Sequence, residues 1–119
     1  MSQQSEELKR RTAEFARRVI GLCGTVPPTQ AGIRLTGQLI DAATSVAGNY
    51  RAACRARSRA EFTAKIGVVA EEADECVGWL ELMVSVKLLS AESARWELDE
   101  ARELAAIFAA SFRTARSHR

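Results

Sequence analysis

An antiparallel up-down-up-down four-helix bundle, all-α, is the fold this sequence predicts, and three observations carry that expectation. Apolar residues recur every three or four positions in four separate stretches. The two prolines, Pro27 and Pro28, are adjacent and lie between stretches, where a missing backbone amide does no harm. The connections are only a few residues long, which makes consecutive helices run antiparallel. No alternating, strand-like pattern competes. The 119 residues suit one domain, residues 1–119, large enough to bury a core without disulfides or metal.

The first helix is expected at about 5–23, where Leu8, Thr12, Phe15, Val19 and Leu22 form a coiled-coil-like seam. Lys9, Arg10, Arg11, Glu14, Arg17 and Arg18 fall off that seam and read as solvated. Val26-Pro27-Pro28 stops the helix. The second is expected at about 29–53 on Thr36, Leu39, Ala43, Val46, Tyr50 and Ala53. Gly32, Gly37 and Gly48 interrupt it, each costing about 1 kcal/mol against alanine, so they read as places where another backbone comes close. The third, at about 59–87, opens on Ser58-Arg59-Ala60-Glu61, an S-x-x-E capping box. Phe62, Ile66, Val69, Ala73, Cys76, Leu80 and Met83 make its seam. A second line, Val68, Glu72, Glu75, Trp79, Leu82 and Val86, lies beside the first and calls for a further partner, either a bundle helix or another subunit. The fourth is expected at about 91–113 after an N-cap at Ser90, with Ala94, Leu98, Ala101, Ala105, Phe108 and Phe112 as its seam and Leu104 and Ile107 flanking it. The basic tail 114–119 reads as mobile.

Composition narrows the chemistry. Residues 1–59 carry a net charge of +6 and residues 60–119 one of −4, within an overall +2. The halves can attract each other, or the basic half can receive phosphates. No apolar run approaches the roughly 20 residues needed to span a bilayer. The polar start MSQQSEELKRR resembles neither a signal nor a transit peptide, so a cytoplasmic, membrane-free protein is expected. Cys23, Cys54 and Cys76 are far apart and read as small buried hydrophobes. With one histidine, His118, near the end of the chain, no metal site and no cofactor are expected. There is no phosphate-binding glycine loop and no nucleophile motif. Glu72-x-x-Glu75 lacks the histidine that a bundle di-metal site requires, so the protein reads as a non-enzyme.

The middle of the chain carries a family signature. Gln38-Leu39-x-x-Ala42-x-x-Ser45-x-x-x-Asn49 resembles the second helix of a four-helix-bundle family, the proteins encoded in intervening sequences of bacterial 23S ribosomal RNA. Asn49-Tyr50-Arg51-Ala52-Ala53-Cys54-Arg55-Ala56-Arg57-Ser58 resembles a large branch of it. So do Glu61-Phe62, Lys65, Glu71-Glu72-Ala73-Asp74-Glu75 and Trp79-Leu80-Glu81-Leu82. Where the commoner pattern has Ile-Ala-Glu-Gly after the asparagine, this chain has Tyr50, Arg51, Ala52 and Ala53. The resemblance implies a homo-oligomer, a ring-like homopentamer. It also implies kinship with accessory proteins of retroelements, whose basic surfaces meet nucleic acid and a reverse transcriptase.

Three groups of candidate residues follow. Arg51, Arg55, Arg57 and Arg59, with Lys65, are the candidate nucleic-acid contacts, because guanidinium forks match phosphate oxygens. With helicity continued, Arg51, Arg55 and Arg59 would share a face. Tyr50 and Trp96 are the few aromatics available for stacking, so RNA or DNA would be bound without base-specific reading. Asn49, Glu72 and Glu75 are expected to form a structural polar network, within a subunit or across a boundary. Trp79 and Leu82 are the candidate oligomer interface. The expected function is a non-enzymatic, oligomeric accessory protein that binds nucleic acid. The alternative is a protein-interaction scaffold whose charges only hold subunits together.

Overall fold

Each helix of the computed structural model, which describes residues 2–118, begins and ends where free backbone groups find partners. α1 spans Gln3–Cys23 and α2 spans Gln30–Cys54. Ser2 caps α1 by accepting from the Ser5 amide at 3.0 Å, and Thr29 caps α2 by accepting from the Gly32 amide at 3.1 Å. The link between them is tight. A Cβ on Gly32 would stand 2.2 Å from the Pro27 carbonyl oxygen, so the Pro27-Pro28 turn closes over a position that only glycine fits. Gly37 and Gly48 have open space where a Cβ would go. The close approach expected at all three glycines therefore holds at Gly32 alone.

α3 spans Arg59–Ser85 and α4 spans Arg95–Ser117. Ser58 Oγ accepts from the Glu61 amide at 3.0 Å, as the capping box requires. The return bond differs from the usual box: Glu61 Oε2 accepts from the Arg57 amide at 2.6 Å, one residue earlier than the cap. α3 stops two residues short of the expected 87. Lys87 adopts φ 65°, and the Lys87 and Leu88 amides fold back onto the carbonyls of Val84 and Met83. That pair of bonds is a Schellman ending, with lysine where glycine is usual.

α4 lies further along the chain than expected, at both ends. Ser90 closes only a preliminary turn, accepting from the Ser93 amide at 3.0 Å; the regular helix begins at Arg95. At the other end the helix runs through Ser117 and is capped by His118, so the tail is helical from 114 to 117. The Arg116 guanidinium lies 5.0 Å from the Phe112 ring centroid. Arg119, also assigned to that tail, lies outside the described residues.

The helices pack as an antiparallel up-down-up-down bundle about 45 × 22 × 20 Å. Arg59 at the start of α3 meets His118 beyond the end of α4, while Glu81 late in α3 meets Arg102 early in α4. The expected α1 seam is buried throughout, including Thr12, whose hydroxyl donates to the Leu8 carbonyl at 2.9 Å. The α3 seam is buried from Ile66 to Met83. On α4 the buried line is Ala94, Glu97, Ala101, Leu104 and Phe108. It is rotated from the expected seam: Leu104, expected as a flank, is fully buried, and Ala105 and Phe112 are half-buried. On this side of α4, Arg18 of α1 lies 3.9 Å from buried Glu97, and Arg11 of α1 meets half-buried Glu100. A second close approach occurs where Phe112 of α4 lies against Gly67, 3.0 Å from where a Cβ would stand.

Candidate nucleic-acid interface

The α2–α3 junction gathers arginines because helix ends and a short turn bring them to one pole of the bundle. Arg51 occupies the last turn of α2, where a cation complements the helix dipole. Arg55 is the C-cap residue of α2, at φ −108° and ψ 14°. The helix breaks there, so Arg51, Arg55 and Arg59 do not continue down a single helical face as their spacing in the sequence implies. Arg57 sits in the turn with an exposed side chain. Its amide is held by Glu61, which keeps the loop in place without neutralising the guanidinium.

Arg59 has a second task. It begins α3, where a cation works against the dipole, and its Nη1 donates to the His118 carbonyl at 2.6 Å. It thereby ties the start of α3 to the end of α4. Lys65 is half-buried and lies well along α3 from the turn, at the head of the second line rather than among the loop arginines. Among the described residues, no carboxylate forms an ion pair with Arg51, Arg55, Arg57, Arg59 or Lys65.

The tertiary structure adds residues that sequence reasoning missed. The helical end of α4 brings Arg113 and Arg116, both exposed, to the same pole. The available signal was the apolar spacing that continues through Phe112, one residue before the expected end of the helix. Across from Arg51 lies the first part of α1, where Gln3, Glu6, Glu7, Lys9 and Arg10 share a groove with it. In that groove Lys9 pairs with Glu6 at 3.1 Å and Arg10 with Glu7. Arg34, Lys87 and Arg95 also lack ion-pair partners among the described residues, but they belong to the opposite half of the bundle.

The two aromatics offered for stacking do not serve an exposed surface at this pole. Tyr50 is buried, its ring centroid 5.2 Å from that of Phe108. Trp96 begins α4 at the opposite pole and carries the Arg18 guanidinium 4.0 Å from its ring centroid, a cation–π contact. Arg11, read from the sequence as solvated, bridges α1 to α4. It meets Glu100 at 2.8 Å and Glu103 at 2.9 Å, and the Glu100 hydrogen bond leads in holding its proton more firmly than usual.

Within the chain, Asn49 is not joined to Glu72 or Glu75. The Asn49 amide group donates to the Ser45 carbonyl at 3.0 Å and to Ser45 Oγ at 2.9 Å, both within α2. Glu72 lies instead within the field of Asp41 on α2, together with Glu71 and Glu75. Asp41 and Asn49 are eight residues apart, about 12 Å along a helix, so Asn49 and Glu72 are out of axial register. Burial first, and then the repulsion of Glu75, Glu71 and Asp41, pushes the Glu72 carboxyl up.

Farther along the same α3 line, Val68, Leu82 and Val86 are exposed and Trp79 is half-buried. Ile33 of α2 is also exposed. Trp79 packs partly against the core, while Leu82 beside it is left exposed by this chain. Cys23 and Cys76 are buried, and burial pushes their thiols up to about 11 and about 12. Among the described residues, no group of three or more His, Cys, Asp and Glu is placed to hold a metal ion, and no helix is long and apolar enough to cross a membrane.

A family model described as 23S rRNA-intervening sequence protein matches residues 4–110. A crystal structure of a protein of unknown function from the S23 ribosomal protein family of Bacteroides thetaiotaomicron is similar to this fold, with a TM-score of 0.81. The two chains are 27% identical, and the likeness covers 88% of this chain and 97% of that one. None of the curated proteins matches the chain.

Proposed function

The chain belongs to the 23S rRNA-intervening sequence protein family, and on that footing we propose that it is a non-enzymatic accessory protein that binds RNA or DNA phosphates through its arginine pole. The observation that carries this reading is the set of exposed guanidiniums on Arg51, Arg55 and Arg57, which no carboxylate neutralises among the described residues. Elsewhere in the chain, Arg10, Arg11, Arg17 and Arg102 have such partners. Arg113 and Arg116 extend the pole, and Lys65, farther along α3, adds a cation away from it. Binding through such a surface is governed by counterion release, so it is salt-sensitive and tolerant of sequence.

The protein acts as a homo-oligomer, a pentamer by family likeness. The α3 line of Val68, Trp79, Leu82 and Val86, interrupted by Glu72 and Glu75, is the surface best suited to meet another copy, because its exposed apolar side chains have no cover within this chain. A ring would repeat the pole and raise avidity without any new contact. A protein partner such as a reverse transcriptase would meet the same assembly. The scaffold alternative, in which there is no nucleic-acid binding, is favoured by that α3 line alone.

The experiment is size-exclusion with light scattering at about 0.1 and about 0.5 M salt, with a short labelled RNA and with a duplex DNA. An oligomer that captures nucleic acid at low salt, and loses it in Arg55→Ala/Arg57→Ala, is the expected result. A stable oligomer that ignores both nucleic acids leaves the scaffold. A monomer removes the ring.

A further inference from the structure

Beside the arginine pole, the ends of the helices leave a partly open cavity of about 390 Å³, within the range of small-molecule sites, roughly 300–1,000 Å³. Its walls are mixed. Phe62 and Ile66 supply apolar surface, while Ser5, Tyr50, Cys54 and Ser111 supply hydroxyl and thiol groups. Burial first, then the neighbouring Cys54 thiol, pushes the Tyr50 phenol up, so it stays a protonated donor at neutral pH. No carboxylate, ammonium or guanidinium is among the described residues that line the cavity. Charge of both signs lies near it: the exposed Arg55 stands in sequence between Cys54 and Ala56, which line the cavity, and the Glu6 carboxylate acts on the Tyr50 phenol.

A neutral interior with polar edges, next to unneutralised guanidiniums, fits a ligand that is part neutral ring and part anion. We infer that this cavity is a base-binding pocket, taking the heterocycle of one unstacked nucleotide whose phosphate rests on Arg55 and its neighbours. The inference rests on the phosphate-binding reading of the pole and gives it a ligand class, a single-stranded segment or strand end over a continuous duplex. In a duplex, the base would first have to leave its stack, at a cost of a few kcal/mol. The pocket also explains why the pole needs no exposed aromatic platform: the apolar wall for a base is the one that Phe62 provides, inside the cavity.

Cys54 gives a direct test in the unmodified full-length protein. It is half-buried and lines the cavity, whereas Cys23 and Cys76 are buried with raised thiols and react slowly. The rate of Cys54 alkylation by a maleimide is followed by mass mapping, at about 0.1 M salt, under four conditions: no ligand, a short single-stranded RNA, an abasic strand of equal length and charge, and adenosine monophosphate. Binding of each strand is measured in parallel. The expected result is that the RNA slows alkylation at least tenfold and the abasic strand leaves it unchanged, although both bind. Protection by the mononucleotide as well supports the pocket and identifies free nucleotides as a sufficient ligand; protection by RNA alone supports it for strands. If both strands bind and neither shields Cys54, or both shield it equally, the pocket is overturned while the phosphate-binding pole stands. If neither strand binds, both readings fall.

Discussion

Arg11 and Arg55 are the same residue type in opposite surroundings, one paired with acids between two helices and one exposed and unpaired at the α2–α3 pole. Arg11 lies in the α1–α4 seam, its side chain 25% exposed, with Glu100 at 2.8 Å and Glu103 at 2.9 Å. Arg18 in the same seam rests on Trp96 and lies 3.9 Å from buried Glu97. These cations are consumed by the fold. At the α2–α3 pole, Arg55 and Arg57 are exposed and have no acidic partner among the described residues. A paired, half-buried arginine fixes register between helices. An unpaired, exposed one contributes little to stability, which is why the proposed phosphate contacts are placed there. Arg59 stands between the two cases, since it belongs to the pole and also holds the end of α4.

The largest expected effect tests the pole. In Arg55→Ala/Arg57→Ala, nucleic-acid affinity at about 0.1 M salt should fall at least tenfold. The slope of log K against log salt should shrink by about 0.9 for each phosphate that is no longer neutralised, with Tm unchanged within about 1 °C. Fluorescence anisotropy over a salt series, with a thermal melt of the same sample, measures both. An unchanged slope would remove these two arginines from the interface.

The seam should respond in the opposite way. Arg11→Met leaves Glu100, whose side chain is 13% exposed, without its partner. The cost should be about 1–2 kcal/mol, between the values for exposed and for buried pairs, with binding unaffected. Urea unfolding of the variant decides this. A neutral Arg11→Met would show that this pair contributes no more to stability than an exposed one.

A smaller gain is expected at the opposite pole. Lys87 holds φ 65° in a Schellman ending that favours glycine, so Lys87→Gly should stabilise the protein by up to about 1 kcal/mol. It should leave binding unchanged, as measured beside the shift in the urea midpoint.

The smallest effect concerns Glu72. Its carboxyl is raised in the folded state by burial and by the nearby acids. Folding therefore favours the protonated form, so stability is greatest below the unfolded value, about 4.3, and is lost as pH rises through the folded value. Glu72→Gln should raise Tm at neutral pH and give no gain near the unfolded value. Melts across that range would show it, and a gain that does not depend on pH would point to packing instead.

Local sequence specified the four helices, their antiparallel order, the α1 seam and the break at residues 54–58, because local periodicity, prolines and capping groups act over a few residues. The cap at Ser58 and the exposure of the loop arginines belong to the same class. It placed Ala94, Ala101 and Phe108 on the inward face of α4 but not Glu97, which is buried 3.9 Å from Arg18 of a helix distant in sequence. Nor could it reveal that Asn49 bonds to Ser45 while Glu72 faces Asp41, since axial register depends on how two long helices slide together. The helical end that carries Arg113 and Arg116 to the pole, and the cavity beside Tyr50 and Cys54, are likewise products of packing. Local order is written in neighbouring residues; register, rotation and cavities are set by groups that meet only when the chain has folded.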